Sequence, residues 1–402
     1  MPKGDEAKIL SAHGQSEELL HGQWLSTEDT AFSANPLQRP ARPASFADLC
    51  VMAHVLAQLL PADADRVLWV RESGLVPEVL AEYTGVLNGA CPGRWDVLEL
   101  NGGEGLKRWD AMPHLFDAFL AHGLTRSSLV LTCGGGALSD AVGMATAVWK
   151  RGLRVAHMPT TTLAMVDAAW GGKTGINWRG SKNQLGTFTL PEFVHLDARW
   201  LVTLPDRERR AGLAEVAKHA MLHAHLGRSH LERWPTWDTS PQALEAWTAK
   251  LEKSAQSKMA VVDADLHERG ARAQLNLGHT VGHAVEAHFT ATTHPWLHGE
   301  AVALGLRLAL FQAKDSSPEA CLFLDRWLES QVPLPNTPLA QWPDAESLWS
   351  HMALDKKNVA DQVVDVAWHG WGKAEWPVML EKSAFEATWV RFVRFLEEAG
   401  TT

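Results

Sequence analysis

Two histidines one helical turn apart are the side chains of this sequence best suited to bind a metal ion. His279 and His283 lie in the run 278–286, whose pattern predicts a helix, and His298 follows it. Residues four apart share one face of a helix, so both imidazoles can converge on a metal or an anion. Glu215 is a candidate third ligand because it lies in an otherwise apolar predicted helix. Histidine pairs on helices also form purely local hydrogen bonds, so both interpretations stand.

A glycine triplet, Gly134 to Gly136, has the composition of a phosphate-binding turn. It directly follows the apolar run 128–132 and opens a helical pattern that contains Asp140. Glycines let the backbone approach a ligand closely, and a helix N-terminus offers unpaired N–H groups and the positive end of the helix dipole. The spacing differs from the GxGxxG of ordinary dinucleotide sites. The triplet therefore indicates either a pyrophosphate site or a plain tight turn between strand and helix.

Cationic side chains are concentrated among glycines further along the chain. Lys173 lies in the glycine-rich run 170–175, with Arg151 before it and Lys182 and Asn183 after it. Lysine and arginine form strong charge-assisted hydrogen bonds with phosphate and carboxylate groups. The clustering favours an anionic ligand, whereas each lysine taken alone is equally typical of a solvated surface.

Composition and charge narrow the class of protein. The chain has 402 residues, of which 46% are hydrophobic and 21% are charged, which is typical of a soluble globular protein with room for two domains. Lysine and arginine total 37 against 47 acidic residues, a net charge of −10. General attraction to nucleic acid or to an anionic membrane is therefore not expected.

Cysteine usage and the N-terminus indicate a cytoplasmic protein. The four cysteines are far apart and form no CxxC pair, so we expect reduced thiols. The sequence contains no apolar run of the roughly 18 residues that a membrane-spanning helix needs. Its charged beginning also lacks the apolar core of a signal peptide.

Hydrophobic patterns predict an extension and two domains. Residues 1–45 are polar and rich in proline, and we expect an N-terminal extension there. Strands alternating with helices over 46–204 predict an α/β, Rossmann-like domain with a mostly parallel sheet, and longer amphipathic segments over 205–402 predict an all-α domain. The predicted strands are 67–70, 95–100, 128–132, 155–158 and 194–196, and the predicted helices include 46–60, 206–225, 240–262, 278–288, 299–314, 317–330 and 383–398.

A series of longer sequence blocks carries a family resemblance. In chain order they are GGGALSD from residue 134, KRGLRVAHMPTTTLAMVDAAWGGKTGIN from 150, SKNQLGTF from 181, LPDRERRAGLAEVAKHA from 204, LNLGHTVGHAVEA from 275, HGEAVALGL from 298 and DKKN from 355. These blocks, in this order, closely resemble the sugar phosphate cyclases, and within them the dehydroquinate synthases. The resemblance implies a dehydroquinate synthase-like fold.

The resemblance implies two cofactors. One is a divalent metal ion, zinc or cobalt, on Glu215, His279 and His298. The other is NAD. The positions that match the family's NAD site are Glu72, Glu104, Lys107, Gly134, Gly135, Gly136, Asp140, Thr160 and Thr161.

The resemblance also implies a sugar phosphate substrate and a homodimer. The family's catalytic residues match Asp167, Lys173, Lys218, Asn276 and His283. Its other substrate-binding residues match Lys182, Asn183, Lys258, Arg272 and Lys356 or Lys357. Arg151 matches an arginine that, in the family, reaches the substrate phosphate of the neighbouring subunit.

The choice of sugar phosphate depends on a carboxylate. The dehydroquinate branch binds a carboxylated substrate, and Arg272 and Lys258 match the family positions that hold this group, while Asn276 follows the dehydroquinate form. This favours 3-deoxy-D-arabino-heptulosonate 7-phosphate and a step of the shikimate pathway. The segment 26–36, however, resembles the opening of cyclases that use sedoheptulose 7-phosphate. A cyclase of secondary metabolism, acting on that sugar, on glucose 6-phosphate or on an amino substrate, is the alternative.

Two other classes are less expected. A metal-dependent NAD alcohol dehydrogenase has a related fold, but a small neutral alcohol needs no cation set such as Arg151, Lys173 and Lys258. A non-enzymatic descendant is expected to have lost metal ligands or phosphate-binding cations, and this sequence retains both kinds of residue.

Overall fold

A four-stranded parallel sheet forms the centre of the first half of the protein. The computed structural model describes residues 52–290, 292–354, 358 and 362–399. Its strands are β1 (Val67–Glu72), β2 (Trp95–Leu100), β3 (Leu129–Gly134) and β4 (Arg154–Pro159), in the order β2-β1-β3-β4. Every neighbouring pair is parallel, which confirms the predicted sheet. The predicted strand 194–196 contributes a single bridge, between Val194 and His157.

Both faces of this sheet are covered by helices. Alternate strand residues point to opposite faces, so Trp69 and Leu131 enter one core with Tyr83, whereas Val70 and Val130 enter another. The helices of this half are α1 (Met52–Leu59), α2 (Pro77–Ala90), α3 (Met112–Ala121) and α4 (Gly136–Val148). The continuous apolar runs of the strands are thus the signature of a sheet buried on two sides.

The glycine-rich run 170–175 leads into a β-hairpin. It consists of β5 (Lys173–Trp178) and β6 (Ser181–Phe188). A Cβ atom on Gly186 would lie 2.1 Å from the carbonyl oxygen of Thr174, so glycine permits the close approach of these two strands. The hairpin places Lys173, Lys182 and Asn183 on one rigid element.

The second half is mostly helical, as predicted. Its helices are α5 (Asp206–Ala211), α6 (Leu213–Leu222), α7 (Gly227–Glu232), α8 (Pro241–Ala264), α9 (His279–Thr290), α10 (His298–Ala313), α11 (Pro318–Gln331), α12 (Ala345–Ala353) and α13 (Lys382–Glu398). The single helix predicted over 206–225 is divided at Gly212. A Cβ atom there would meet the backbone nitrogen of Leu163 at 2.4 Å.

The expectation of an all-α second half is wrong in one respect. Strands β7 (Val364–Gly370) and β8 (Lys373–Met379) form an antiparallel hairpin. Burial alternates along β7, with Val364, Val366 and Trp368 facing the core, which is the period of a strand. Its turn contains two glycines with positive φ, Gly370 and Gly372.

Helices α9 and α10 cross at backbone contact. Gly278, which immediately precedes α9, has a φ of 75°, and a Cβ atom on Gly305 of α10 would lie 1.9 Å from its carbonyl oxygen. No side chain fits between the two backbones at this point. The crossing fixes the first residues of both helices, His279 and His298, relative to each other.

Some expectations lie beyond what the structure tests. Residues 1–45 and most of DKKN, including Lys356 and Lys357, lie outside the described residues. The domain boundary after residue 204 stays a prediction. Among the described helices, none combines the length and the apolar character needed to cross a membrane.

Substituting alanine at Gly305 is expected to destabilise the fold. The added methyl group would overlap the Gly278 carbonyl, and overpacking of this kind costs about 1–3 kcal/mol of unfolding free energy. Gly85→Ala is the matched control, because Gly85 lies within α2 with no atom within 4 Å of its Cβ position. Thermal unfolding should show a lowered midpoint for the first variant and an unchanged or raised midpoint for the second. Equal midpoints for both variants would contradict the close crossing.

Candidate active site

Three buried or partly buried side chains converge where α6, α9 and α10 meet. They are Glu215 of α6, His279 at the start of α9 and His298 at the start of α10. Their ligand atoms all lie within 4.8 Å of one another. Nε2 of His279 is 3.2 Å and Nε2 of His298 is 3.6 Å from Oε1 of Glu215. The group has the size and composition of a metal site with three protein ligands.

The hydrogen bonds around this group show that it suits a cation. Nδ1 of His279 lies 3.0 Å from the carbonyl oxygen of Leu277, and Nδ1 of His298 lies 2.9 Å from Oε2 of Glu286. These oxygens accept, so each Nδ1 carries a proton and each Nε2 is directed at Oε1 of Glu215. Glu215 is fully buried, and its Oε2 is paired with Lys218. A divalent cation between the three side chains would be held by one carboxylate and two neutral imidazoles.

Helical spacing pairs His279 with His283, which lies one turn further along α9. The ring centroid of His283 is 5.3 Å from that of His279 and 5.8 Å from that of His298. His283 therefore lies beside the ligand group, not within it. The convergent set is the one that the family resemblance implied, Glu215 with His279 and His298.

A carboxylate surrounded by lysines lies next to the metal-ligand group. Asp167, on a π-helical turn (Ala164–Ala168), has Oδ1 2.7 Å from Nζ of Lys258 and 3.8 Å from Nζ of Lys218. Burial alone would raise the pKa of Asp167, but the two lysines outweigh it and hold this pKa well below its usual value. Lys218 also contacts the Glu215 carboxylate. Burial lowers the pKa of Lys258, so its ammonium group would be stabilised by a further anion.

The remaining cations of the cleft are held by protein acceptors. Lys173 is paired with Glu268, whose Oε1 accepts a 2.8 Å hydrogen bond from Asn276. Burial lowers the pKa of Lys173 despite this partner. Arg272 donates to the carbonyl oxygens of Gly171, at 2.9 Å, and Leu266, at 2.6 Å. These two bonds use two of its five N–H groups, which leaves part of its fork for a ligand.

The β5–β6 hairpin connects the metal-ligand group to the glycine turn. Nζ of Lys182 lies 2.5 Å from Oε1 of Glu286. Next to it, Asn183 accepts a 2.5 Å hydrogen bond from Lys107, which also forms a 2.6 Å ion pair with Asp140 of α4. The structure thus brings together Lys107 and residues from three separate sequence blocks.

The glycine turn forms a cradle around Glu72. A Cβ atom on Gly134 or on Gly102 would lie 2.7 Å from the Glu72 carboxyl carbon, so a side chain at either position would displace the Glu72 carboxylate. Burial raises the pKa of Glu72, and a hydroxyl donor would stabilise its carboxylate. Helix α4 begins directly after this turn, at Gly136, so its first N–H groups are available to a phosphate. The arrangement fits a dinucleotide, with hydroxyls at Glu72 and phosphates at the helix.

Three further predicted cofactor residues surround this cradle. The Thr160 backbone N–H donates to the carbonyl oxygen of Gly134 at 3.0 Å, and Thr161 lies against Gly135. Glu104 accepts a 2.7 Å hydrogen bond from Asn177 of the hairpin.

Arg151 is placed apart from these contacts. It lies at an exposed turn after α4 with a φ of 62°, next to Lys150, whose φ is 47°. Two consecutive left-handed residues direct this segment away from the helix axis.

Sequence reasoning missed two carboxylates and an amide of this site. Glu286 lies on α9 one turn beyond His283, so its helical spacing could have indicated it. Asn177 accepts a 2.9 Å hydrogen bond from the Asn183 backbone and donates to Glu104. Glu268 lies in the segment between α8 and α9 with a φ of 56°, and only the fold brings it to Lys173.

The fold is shared with solved sugar phosphate cyclases. The structure of a 2-deoxy-scyllo-inosose synthase complexed with carbaglucose-6-phosphate, NAD+ and Co2+ has a TM-score of 0.71 and 24% identity, and the match covers 83% of this chain and 93% of that one. The 2-epi-5-epi-valiolone synthase from Streptomyces hygroscopicus subsp. jinggangensis 5008, with NAD+ and Zn2+ bound, has a TM-score of 0.70 and 24% identity. That match covers 88% of this chain and 95% of the other.

Sequence comparison identifies the family. Residues 97–211 match the family model for the 3-dehydroquinate synthase N-terminal region, and residues 212–358 match the model for its C-terminal region. The 3-dehydroquinate synthase of Xanthomonas oryzae pv. oryzae (strain PXO99A) is 37% identical over 331 residues, which cover 79% of this chain and 87% of that protein. With both family models matched in order and this identity over most of its length, the chain belongs to the 3-dehydroquinate synthase family.

Proposed function

We propose that this protein is a 3-dehydroquinate synthase, which converts 3-deoxy-D-arabino-heptulosonate 7-phosphate to 3-dehydroquinate and phosphate. The observation that carries the proposal is that a three-ligand metal group lies beside buried lysines and is joined, through the β5–β6 hairpin and Lys107, to the helix that follows the glycine turn. The relatives that match most of the chain carry the same name. The reaction is a carbon–oxygen lyase step of the shikimate pathway with no net oxidation.

The residues present fit both cofactors of this reaction. Glu72, the cradle glycines and the start of α4 would hold NAD, and Glu215, His279 and His298 would hold zinc or cobalt. The two solved relatives contain NAD+ with Co2+ or Zn2+. When bound, NAD provides a reversible hydride acceptor for a secondary alcohol and the metal polarises the hydroxyl group being oxidised.

The protein's own side chains position the substrate. Lys182 and Asn183, together with the Asn276 and His283 pair, would hold the phosphate, and Lys173 adds positive charge to the same cleft. A phosphate held in this way can use its own oxygen to take the proton released next to the new ketone, so exact placement of the phosphate matters more than a separate base. Elimination breaks the carbon–oxygen bond to phosphate. The hydride then returns to the ketone carbon, which restores the alcohol, the ring opens, and an intramolecular aldol step closes the carbocycle.

The substrate carboxylate is assigned to two cations. Arg272 and Lys258 lie next to each other at the Asp167 turn. Arg272 donates to the Gly171 carbonyl and Lys258 to the Asp167 carbonyl, and a Cβ atom on Gly171 would lie 2.8 Å from Nη2 of Arg272 and 3.5 Å from Nζ of Lys258. The remaining N–H groups of the guanidinium fork suit a bidentate carboxylate. A sugar phosphate without a carboxylate has no corresponding anionic group for Arg272 and Lys258 to bind.

Assembly, location and domain organisation are part of the same proposal. The protein acts as a cytoplasmic homodimer, and Arg151 reaches the phosphate in the partner's cleft. Its exposed position at a left-handed turn supports this role. Residues 46–204 are the NAD-binding domain and residues 205–402 bind the metal and substrate.

Phosphate release from defined substrates tests the proposed function. Purified protein with NAD should release phosphate from 3-deoxy-D-arabino-heptulosonate 7-phosphate without accumulating NADH, and a chelator should abolish the release. Sedoheptulose 7-phosphate and glucose 6-phosphate are compared under identical conditions. Release from a neutral sugar phosphate alone would contradict the proposal and identify a cyclase of secondary metabolism, whereas stoichiometric NADH would indicate a dehydrogenase.

Removing one metal ligand should remove the metal. His279→Ala deletes one of three ligands, so we expect loss of stoichiometric metal and of nearly all turnover. His288→Ala is the control because His288 lies on the same helix at a partly exposed position, where its ring contacts the Gln341 carbonyl. Metal content by elemental analysis should stay at one ion per subunit in the control. Full occupancy in His279→Ala would refute the ligand assignment.

Removing Arg272, the proposed carboxylate-binding residue, should weaken substrate binding without weakening cofactor binding. Arg272→Ala is expected to weaken binding of the carboxylated substrate strongly, because a charged hydrogen-bonded pair is lost. NAD affinity should change little, since the glycine cradle surrounds Glu72 and not Arg272. Calorimetric titration of both ligands measures the two effects. An equal loss of both affinities would indicate misfolding instead of a specific role.

A further inference from the structure

The carboxylate of Glu286 is shared between two functional groups. Its Oε2 lies 2.9 Å from Nδ1 of His298, and its Oε1 lies 2.5 Å from Nζ of Lys182. The side chain of Glu286 is only 14% exposed, whereas that of Lys182 is 47% exposed. A largely buried carboxylate thus joins a metal ligand on one side to a solvent-accessible cation on the other.

The contact with His298 acts on the metal ligand. A carboxylate that accepts the Nδ1 proton of a ligating histidine fixes the tautomer and makes Nε2 a stronger donor to the metal. Nε2 of His298 faces Oε1 of Glu215 at 3.6 Å, as this arrangement requires. The more completely Glu286 is available to His298, the tighter metal binding should be.

The contact with Lys182 acts in the opposite direction. The ammonium group draws negative charge of the carboxylate toward Oε1 and away from the histidine bond. Lys182 belongs to the hairpin β5–β6 and Glu286 to α9, so the pair connects the two halves of the chain across the cleft. An anion that binds Lys182 would compete for its ammonium group and return the carboxylate to His298.

We propose that Glu286 couples the metal ion to the substrate anion, so that an anion bound at Lys182 tightens metal binding at His298 and the metal tightens anion binding in return. The two effects are equal because binding coupling between two sites is reciprocal. The inference rests on the proposed function only for the presence of a metal and an anionic ligand, and not for the identity of the sugar. Glu286 is a positioning residue in this scheme, since it acts through His298 and Lys182.

A double-mutant cycle on metal affinity tests the coupling. Co2+ affinity is measured with a chelator buffer that fixes free Co2+, for the wild type, Lys182→Met, Glu286→Gln and the double variant, without and with inorganic phosphate. Lys182→Met should bind Co2+ at least about fivefold more tightly than the wild type without phosphate, the lower end of typical coupling. Glu286→Gln should bind Co2+ about 10- to 100-fold more weakly. In the Glu286→Gln background, Lys182→Met should have no effect.

Phosphate and a charge-matched control complete the test. Inorganic phosphate should tighten Co2+ binding in the wild type and not in Lys182→Met. Arg179→Met removes an exposed cation from the turn of the same hairpin, where its guanidinium lies over the Trp178 ring, and it should leave Co2+ affinity unchanged. The exposed Lys182 side chain makes Lys182→Met a variant that should fold, so the result does not depend on Glu286→Gln alone.

Two results would overturn the coupling. If Lys182→Met binds Co2+ with wild-type affinity, the Lys182–Glu286 ion pair does not weaken the hydrogen bond between Glu286 and His298. An equal gain in the wild-type and Glu286→Gln backgrounds would show a through-space effect of charge that does not need Glu286. Failure of the proposed function is a separate observation, because it is read from the substrate comparison and leaves these affinities unaffected.

Discussion

The burial of one carboxylate governs the organisation of this site. Glu215 is completely removed from solvent, and an ionised carboxylate in such a place costs several kcal/mol unless opposite charge compensates it. Lys218, one turn along the same helix, provides part of the compensation. Oε1 of Glu215 faces His279 and His298, and a metal ion held between the three side chains would add further positive charge at this oxygen. Helices α6, α9 and α10 each contribute one side chain here, and their packing brings Glu215, His279 and His298 together.

Charge balance extends from this centre through the whole cleft. The lysines and Arg272 are matched by protein acceptors: Lys258 by Asp167, Lys173 by Glu268, Lys182 by Glu286 and Arg272 by carbonyl oxygens. A ligand anion that binds in the cleft therefore replaces these protein acceptors as the partner of the cations, because the cations are already paired before it arrives. Such an arrangement lets a folded protein of net charge −10 maintain a locally cationic cleft without leaving buried charges uncompensated.

The sequence predicted the sheet well because its signal is local. Each of the first four strands is a short apolar run flanked by helical patterns, and burial on both faces explains the continuous runs. The two hairpins carry weaker local signals. In β5–β6, the glycines allow the two strands to approach closely, but in the sequence they resemble those of a loop. Strands β7 and β8 form one isolated hairpin, and the segments on either side of it have helical patterns.

The site was predictable to the extent that chemistry follows residue type and family pattern. Helical spacing alone paired His279 with His283, whereas the metal-ligand group joins His279 to Glu215 and His298 on two other helices. That set was expected only from the family resemblance, because no local rule relates residues on separate helices. Helical spacing from His283 could have indicated Glu286, whereas Glu268 is recognised only in three dimensions, where it pairs with Lys173.

The glycine crossing of α9 and α10 bears on how this protein can change over evolutionary time. Gly278 and Gly305 admit no side chain, so the pair of helices that carries His279 and His298 has little freedom to drift. Apart from His283 of α9, the residues assigned to phosphate and carboxylate lie elsewhere, on the β5–β6 hairpin, on α8 and on the segment before α9. New sugar specificities can therefore arise by substitution in those elements while the oxidation chemistry is inherited intact. The separation offers a structural reason why one scaffold can serve several carbocycle-forming reactions.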